Sequence, residues 1–165
     1  MKIIDNFLDQ ENFDKLQNNI MGEYFSWFYN DIIDFDDDIN KYQFVHCFYN
    51  NYVATSNNIE TINPILVKID AISLYKIKAN LLTRTLNIVE NEFHVDSVVS
   101  EEKWKHFTTS IFYVNTNNGY TKFEDGTKVE SVANRLISFP ANMKHTGTSC
   151  TDQNTRVIIN FNYFK

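Results

Sequence analysis

The sequence predicts a mainly β protein with supporting α-helices, a helix-backed β-sandwich or barrel. Three observations predict it. From Tyr42 onward the apolar residues recur with a period near two rather than 3.6. The turn dipeptides Asn118-Gly119 and Asp125-Gly126 fall between short apolar runs, and both suit positive φ. Aromatic residues make up 15% of the chain, and they fit pleated, half-buried surfaces.

The N-terminal quarter is the exception. Phe13, Leu16, Ile20, Tyr24 and Phe28 recur at spacings of three and four, which predicts a helix with one apolar face. Asp9 is placed to cap it. Such a face packs on a sheet far more often than it forms a groove for a partner. Strands are predicted over 42–49 and 72–82, with a short helix over 59–67 between them. In the second strand Ile77, Ala79 and Leu81 alternate with Lys76, Lys78 and Asn80. Further strands are predicted over 107–114, 120–123, 128–132, 135–139 and 155–164. Many short strands joined by turns after a leading helix make a sandwich or barrel.

With 165 residues, 43% of them hydrophobic, the chain has the material for one domain and one core. Fifteen basic against 21 acidic residues give a net charge of -6, which argues against a nucleic-acid binder, since those show a basic face. Cys47 and Cys150 are read as reduced thiols in a cytoplasmic protein. No signal-peptide stretch opens the chain and no apolar run reaches membrane-spanning length. The acidic run Asp34, Asp36, Asp37, Asp38 fails as a calcium loop. Its sixth position is Ile39, where glycine is needed, and its twelfth is Val45, where a bidentate glutamate is needed.

Of the four histidines, two sit in contexts that suit a metal. His94 and Asp96 are two residues apart, so in extended backbone they share a face and can grip one cation from one side. The tripeptide alone is a weak signal, because a surface His and Asp at this spacing is common. His145 follows the apolar stretch Leu136 to Pro140 and precedes Gly147. Two histidines and one carboxylate on one side of a cation leave three positions open, the facial arrangement of non-haem iron sites. Arg156 lies eleven residues after His145 and opens an apolar strand. Arg156, Ile158, Asn160 and Asn162 share one face of it; Val157, Ile159, Phe161 and Tyr163 share the other. An antiparallel hairpin would bring Arg156 near His145, where a guanidinium can take a carboxylate in bidentate fashion. His46, within Phe44 to Phe48, is read as structural. His106, after Trp104 and Lys105, stands in a loop that could flank the site. Cys150 has no base nearby to activate it.

In this order, His94-x-Asp96, His145 and Arg156 resemble the 2-oxoglutarate and Fe(II)-dependent oxygenase superfamily, nearest to its prolyl 4-hydroxylase-like branch. The resemblance spans roughly residues 72–164. Ile4 to Leu8 is similar to the opening of small members. Ile111 to Asn115 resembles the strand after the first ligand pair. Asn118 to Phe123 resembles the family's Gly-Gly-x-Thr-x-Phe segment, with Asn118 replacing the first glycine. The resemblance implies a double-stranded β-helix, a jelly-roll or cupin-like barrel, with residues 69–165 as its catalytic core and 1–68 as helical and strand support. It implies iron held by His94, Asp96 and His145, and Arg156 on the far carboxylate of 2-oxoglutarate. It implies Tyr113 and Thr121 beside that carboxylate. The cofactor set is Fe(II), 2-oxoglutarate as co-substrate and dioxygen, with ascorbate as an optional accessory. The activity implied is hydroxylation of a peptidyl, prolyl-type side chain, with 2-oxoglutarate decarboxylated to succinate. A nucleobase or small-metabolite substrate, or a non-catalytic cupin-like metal-binding module, stays open as an alternative. One departure stands out: many relatives carry a serine or threonine two residues after the arginine, where this chain has Ile158, so another donor must complete the carboxylate site.

Overall fold

The computed structural model describes residues 1–33, 41–96 and 106–165. The acidic run at 34–38, together with Trp104 and Lys105, lies outside the described residues. In chain order the elements are β1 (Lys2–Ile4), α1 (Gln10–Ile20), β2 (Phe28–Asn30), β3 (Gln43–Asn50) and β4 (Val53–Ala54). A 3-10 turn (Asn57–Ile62) then leads into α2 (Asn63–Ile69) and β5 (Ser73–Thr83). The remaining strands are β6 (Phe107–Tyr113), β7 (Tyr120–Phe123), β8 (Lys128–Glu130), β9 (Arg135–Pro140), β10 (His145–Gly147) and β11 (Thr155–Phe164).

Helix α1 begins where Asp9 accepts a hydrogen bond from the Asn12 N–H at 3.0 Å. Phe13, Leu16 and Ile20 are its buried stripe. The stripe does not run on through Tyr24 and Phe28 as their spacing suggests. The Met21 and Gly22 N–H groups turn back to the Gln17 and Asn19 carbonyls and end the helix. Tyr24 is left 92% exposed, and Phe28 joins an edge strand.

The larger sheet has the order β1-β9-β6-β11-β5-β3-β2, with β4 beside β3; the smaller runs β10-β7-β8. Every recorded pairing is antiparallel. Two isolated bridges, Glu90 to Thr148 and His94 to His145, lay the segment before β6 along the outer side of β10 and widen the smaller sheet. Two facing antiparallel sheets wound this way are a double-stranded β-helix.

Alternation along β6 and β11 divides the core in two. Phe112, Val157, Ile159 and Phe161 face the helices and pack with Phe13, Leu16, Ile20, Ile62 and Ile65. Phe7 and Phe13 both meet the Phe112 ring edge-on at 6.3 Å. Ile111, Tyr113 and Ile158 face the other way and pack with Phe123, Val129, Ile137 and Phe139 between the sheets. His46 is structural: its ring nitrogens bond the Ser26 carbonyl and the Ser56 hydroxyl, both at 2.7 Å, and Phe25 and Phe48 flank the ring. Cys47 and Cys150 are both free thiols. Among the described residues, no helix is long and apolar enough to cross a membrane.

Asn134 ties the N-terminal segment to this sheet. Its backbone is left-handed, with φ 62°, which asparagine tolerates better than most residues. Its side chain accepts from the Leu8 N–H at 2.8 Å and donates to the Leu8 carbonyl at 2.9 Å, both buried. Asn134→Ala strands both Leu8 groups away from water. We expect a loss of about 2–4 kcal/mol in urea unfolding, with an unchanged slope, from two unpaired backbone groups.

Candidate metal and carboxylate site

Backbone pairing sets the first two ligand candidates across from each other. The His94 N–H donates to the His145 carbonyl, and the His145 N–H to the His94 carbonyl, each at 3.0 Å. The imidazoles therefore stand side by side, with ring centroids 4.8 Å apart. Asp96, two residues on, comes to the same spot: its carboxylate lies 3.6 Å from His94 Nε2 and 3.7 Å from His145 Nε2. One donor atom from each of the three residues lies within 4.8 Å of the others. That is a compact N, N, O set on one side of a shared point, the donor chemistry of a facial metal site.

The ring orientations suit such a site. His145 Nδ1 stands 3.0 Å from the Met143 carbonyl and His94 Nδ1 stands 3.3 Å from the Glu92 carbonyl. A carbonyl can only accept, so each Nδ1 carries the proton and each Nε2 presents its lone pair toward Asp96. Asn162 holds the carboxylate from the sheet below. Its Nδ2 donates to Asp96 Oδ2 at 3.3 Å and to Thr109 Oγ1 at 3.1 Å. Burial alone pushes the Asp96 carboxyl up. The Asn162 amide, together with the hydrogen bond from His94 and the charges of both histidines whenever those rings are protonated in the metal-free site, outweighs it and holds the group ionised, well below the usual carboxylate range.

Arg156 stands under the same cavity. It opens β11 on the inner face and is 2% exposed. The expected hairpin to His145 does not form: β10 pairs with β7, while β11 pairs with β5 and β6. The connection after β10 crosses from one sheet to the other, so Arg156 reaches the site from the facing sheet. A Cβ on Gly147 would stand 3.4 Å from Arg156 Nη1. Its Nε donates to Ser131 Oγ at 2.8 Å and its Nη2 to Thr121 Oγ1 at 3.3 Å. Tyr113 OH also donates to Thr121 Oγ1, at 2.8 Å, and the Tyr113 ring lies 5.8 Å from the guanidinium carbon. Thr121 Oγ1 thus accepts twice, which uses its lone pairs and leaves its own O–H free to donate to a ligand. Ile158, on the same face of β11 as Arg156, offers no such donor.

Among the described residues, Arg156 forms no ion pair with a carboxylate. Burial works against its charge, and only neutral hydroxyls face it. A fully buried guanidinium without a counter-charge is a built receptor for an anion.

One cavity of about 290 Å³ joins the two halves. His94, Asp96 and His145 line one wall and Thr121, Gly147 and Arg156 another, with Lys78, Asn80, Ile158 and Asn160 between them. Tyr113 does not line it; the tyrosine is wholly buried behind Thr121. His106 lies outside it, its carbonyl taken by the Lys165 N–H just past the end of the β6–β11 pairing. Cys150 is buried, which pushes its thiol up. Asn162 and Ser131 were not singled out by sequence reasoning; only the alternation of β11, which puts Asn162 on the Arg156 face, pointed toward one of them. Asn118 staples the neighbouring loops, its side chain bonding Thr151 through both amide atoms.

No family model matches the chain, and no curated protein matches it. Solved structures do. The chain is similar to a prolyl hydroxylase from Trichoplax adhaerens, solved with a hypoxia inducible factor oxygen degradation domain peptide fragment. The TM-score is 0.72 at 14% identity, over 99% of this chain and 82% of that one. A viral collagen prolyl hydroxylase from Paramecium Bursaria Chlorella virus-1, solved as its 2OG complex, gives 0.65 at 15% identity, over 99% and 95%. A Pseudomonas putida prolyl-4-hydroxylase gives 0.61 at 12% identity, over 99% and 92%. The fold is therefore that of the prolyl hydroxylases and other 2-oxoglutarate and Fe(II) oxygenases.

Two substitutions test the geometry. Removing the amide in Asn162→Ala should weaken Mn(II) binding by about 10–100-fold in calorimetry, with the circular dichroism unchanged, because the carboxylate loses its outer support. A Cβ at Gly119 would lie 2.6 Å from Arg156 Cδ, 2.7 Å from the Ser149 carbonyl and 2.8 Å from Asn117 Oδ1. Gly119→Ala should lower Tm, at a cost of about 1–3 kcal/mol for overpacking.

Proposed function

We propose that the protein is a non-haem Fe(II)- and 2-oxoglutarate-dependent oxygenase that hydroxylates a peptidyl side chain. The observation that carries this reading is the buried, uncompensated Arg156 sharing one cavity with the His94, Asp96 and His145 set. A metal-binding module alone has no use for a guanidinium that, among the described residues, meets no carboxylate.

The donor set fits Fe(II): two neutral imidazoles and one ionised carboxylate, on one side, with the opposite side open to the cavity. When bound, the iron, its keto-acid and dioxygen would supply the oxidising chemistry, one oxygen atom ending in succinate and the other in the hydroxylated product, with carbon dioxide released. The chain's own residues do the rest. His94, Asp96 and His145 hold the metal, and Asn162 keeps the Asp96 carboxylate in place. Arg156 and the Thr121 hydroxyl bind the far carboxylate of 2-oxoglutarate and so fix its keto end toward the metal. Tyr113 and Ser131 orient Thr121 and Arg156 from behind. Ile111, Ile158 and Leu82 give the cavity dry walls that keep stray water from the reactive centre. A peptide substrate draws support from the solved structures, two of which are prolyl hydroxylases described with a peptide fragment or with collagen in their names.

Anaerobic addition of Fe(II) and 2-oxoglutarate to the apo-protein should give a weak visible charge-transfer band. His145→Ala should abolish it. Arg156→Ala should raise the 2-oxoglutarate concentration needed for half the band by at least about 10–100-fold, the effect of losing a bidentate charged contact. A folded protein that gives no band under these conditions would overturn the reading.

A further inference from the structure

A second, smaller groove opens off the side of the site cavity. Its volume is about 190 Å³, and Ile33, Leu82 and Asn91 are walls that the two spaces share. None of the metal candidates lines it, and neither does Arg156 or Thr121. In the β5/β11 register Leu82 stands opposite Arg156 and Thr83 opposite Thr155. The groove therefore begins where the carboxylate pocket ends and continues outward past the end of β5. Pockets for free small molecules are usually about 300–1,000 Å³, so this one has the size for a single side chain.

Its chemistry is one-sided. Lys41 and Arg84 both line it, and no carboxylate does among the described residues. That runs against the trend of a chain with 21 acidic and 15 basic residues. The wall beside the two cations is fixed in advance. The Arg84 N–H donates to the Asn154 carbonyl at 2.9 Å and the Thr85 N–H to the Cys150 carbonyl at 3.1 Å. The Val89 N–H donates to Ser149 Oγ at 2.9 Å, and Thr85 Oγ1 donates to the Asn87 carbonyl at 2.6 Å. The Ser149 and Thr85 hydroxyls lie 2.6 Å apart, so Ser149 must donate to Thr85. Both hydroxyl protons are spent within the wall, and the charged groups beside them set the sign of a guest. Tyr42, Leu82 and Val89 line the remainder, a surface for a short aliphatic stem.

Position ties the groove to the substrate. The segment that carries His94 runs beside β10 back to Val89: Glu90 bridges Thr148, and the Ser149 N–H donates to the Val89 carbonyl. Asn91 and Val89 precede His94 by three and five residues, about 10 and 16 Å of extended chain. A polypeptide that offers one side chain to the metal and follows this segment outward reaches the groove about three to five residues later.

We infer that this groove is a specificity subsite for the substrate polypeptide, and that Arg84 and Lys41 hold there an acidic side chain about three to five residues from the hydroxylated one. The inference rests on the oxygenase reading for its purpose, while its test reads binding rather than turnover. A free dicarboxylate has the same chemistry, and the experiment separates the two.

The probes are alanine- and serine-based peptides with a central proline and one glutamate, glutamine or lysine placed three, four or five residues to either side. Binding to the Mn(II)-loaded protein with 2-oxoglutarate is read by fluorescence anisotropy. In one register the glutamate peptide should bind at least about fivefold tighter than its glutamine twin. Arg84→Gln should erase that preference and Arg84→Glu should turn it toward lysine, with Tm little changed because Arg84 is exposed. No preference in any register, or one that both variants keep, would overturn the inference. Peptides without preference, beside a second 2-oxoglutarate site that calorimetry finds and Arg84→Glu abolishes, would assign the groove to a free dicarboxylate and overturn it as well. The charge-transfer band of the unaltered protein with Fe(II) reports separately: its absence would sink the oxygenase reading without touching the peptide result.

Discussion

The site depends on a single antiparallel bridge, the pair of backbone hydrogen bonds between His94 and His145. Both residues belong to short stretches with little of their own to hold them: a segment paired through isolated bridges and a three-residue strand. Locked together, they fix the two imidazoles in one register, and Asp96 follows because it is only two residues further on. The Asn91 N–H to Gly147 carbonyl bond and the Ser149 N–H to Val89 carbonyl bond continue the same pairing on the far side. Glu90 fastens the segment again from outside, bonding Tyr120 OH and Lys122 Nζ across β10. The chemistry of three side chains thus rests on a short run of main-chain pairing that any sequence could in principle make. Identity to similar folds as low as 12–15% is compatible with this, because the pairing constrains backbone, not side chains.

The second constraint is the charge of Arg156. A guanidinium buried between two sheets is costly, and among the described residues it is hydroxyls rather than a carboxylate that offset the cost. Ser131, Thr121 and, behind it, Tyr113 come from three different stretches of the chain. Neutral partners satisfy the hydrogen-bond geometry and leave the charge unanswered. A carboxylate in place of any of them would have made a more comfortable core and a closed site.

Much of this was legible in the sequence. The long strands, β5 and β11, stand within a residue of their predicted ends, because ten or eleven residues carry enough alternation to be read. Strands β1, β2, β4 and β10 were not predicted: two or three residues span hardly more than one period, and pairing alone makes them strands. The helix stripe was read too far, since Tyr24 and Phe28 keep the helical spacing by chance after the chain has turned at Met21 and Gly22. The four residues His94, Asp96, His145 and Arg156 were singled out by type and order, and the fold brings them to one cavity. The hairpin expected between the last two was wrong because proximity in sequence was taken for pairing, whereas the chain changes sheets between them. Asn162 and Ser131 act through contacts 66 and 25 residues away in the chain, and no local pattern announces such contacts. The polar side of β5 was visible as Lys76, Lys78 and Asn80, but alternation alone does not say whether a polar face meets bulk water or a cavity.

The alternation of β11 has a consequence for how this chain can change over time. Its odd positions, Val157, Ile159 and Phe161, belong to the packed interior with the helices, while its even positions, Arg156, Ile158 and Asn160, belong to the cavity. Neighbouring letters of one ten-residue word therefore answer to different selective pressures. Drift at the odd letters is checked by folding and drift at the even ones by what the cavity must hold. A lineage could reshape the cavity through Asn160, or through Asn80 on the adjacent strand, without disturbing the packing that keeps the barrel shut.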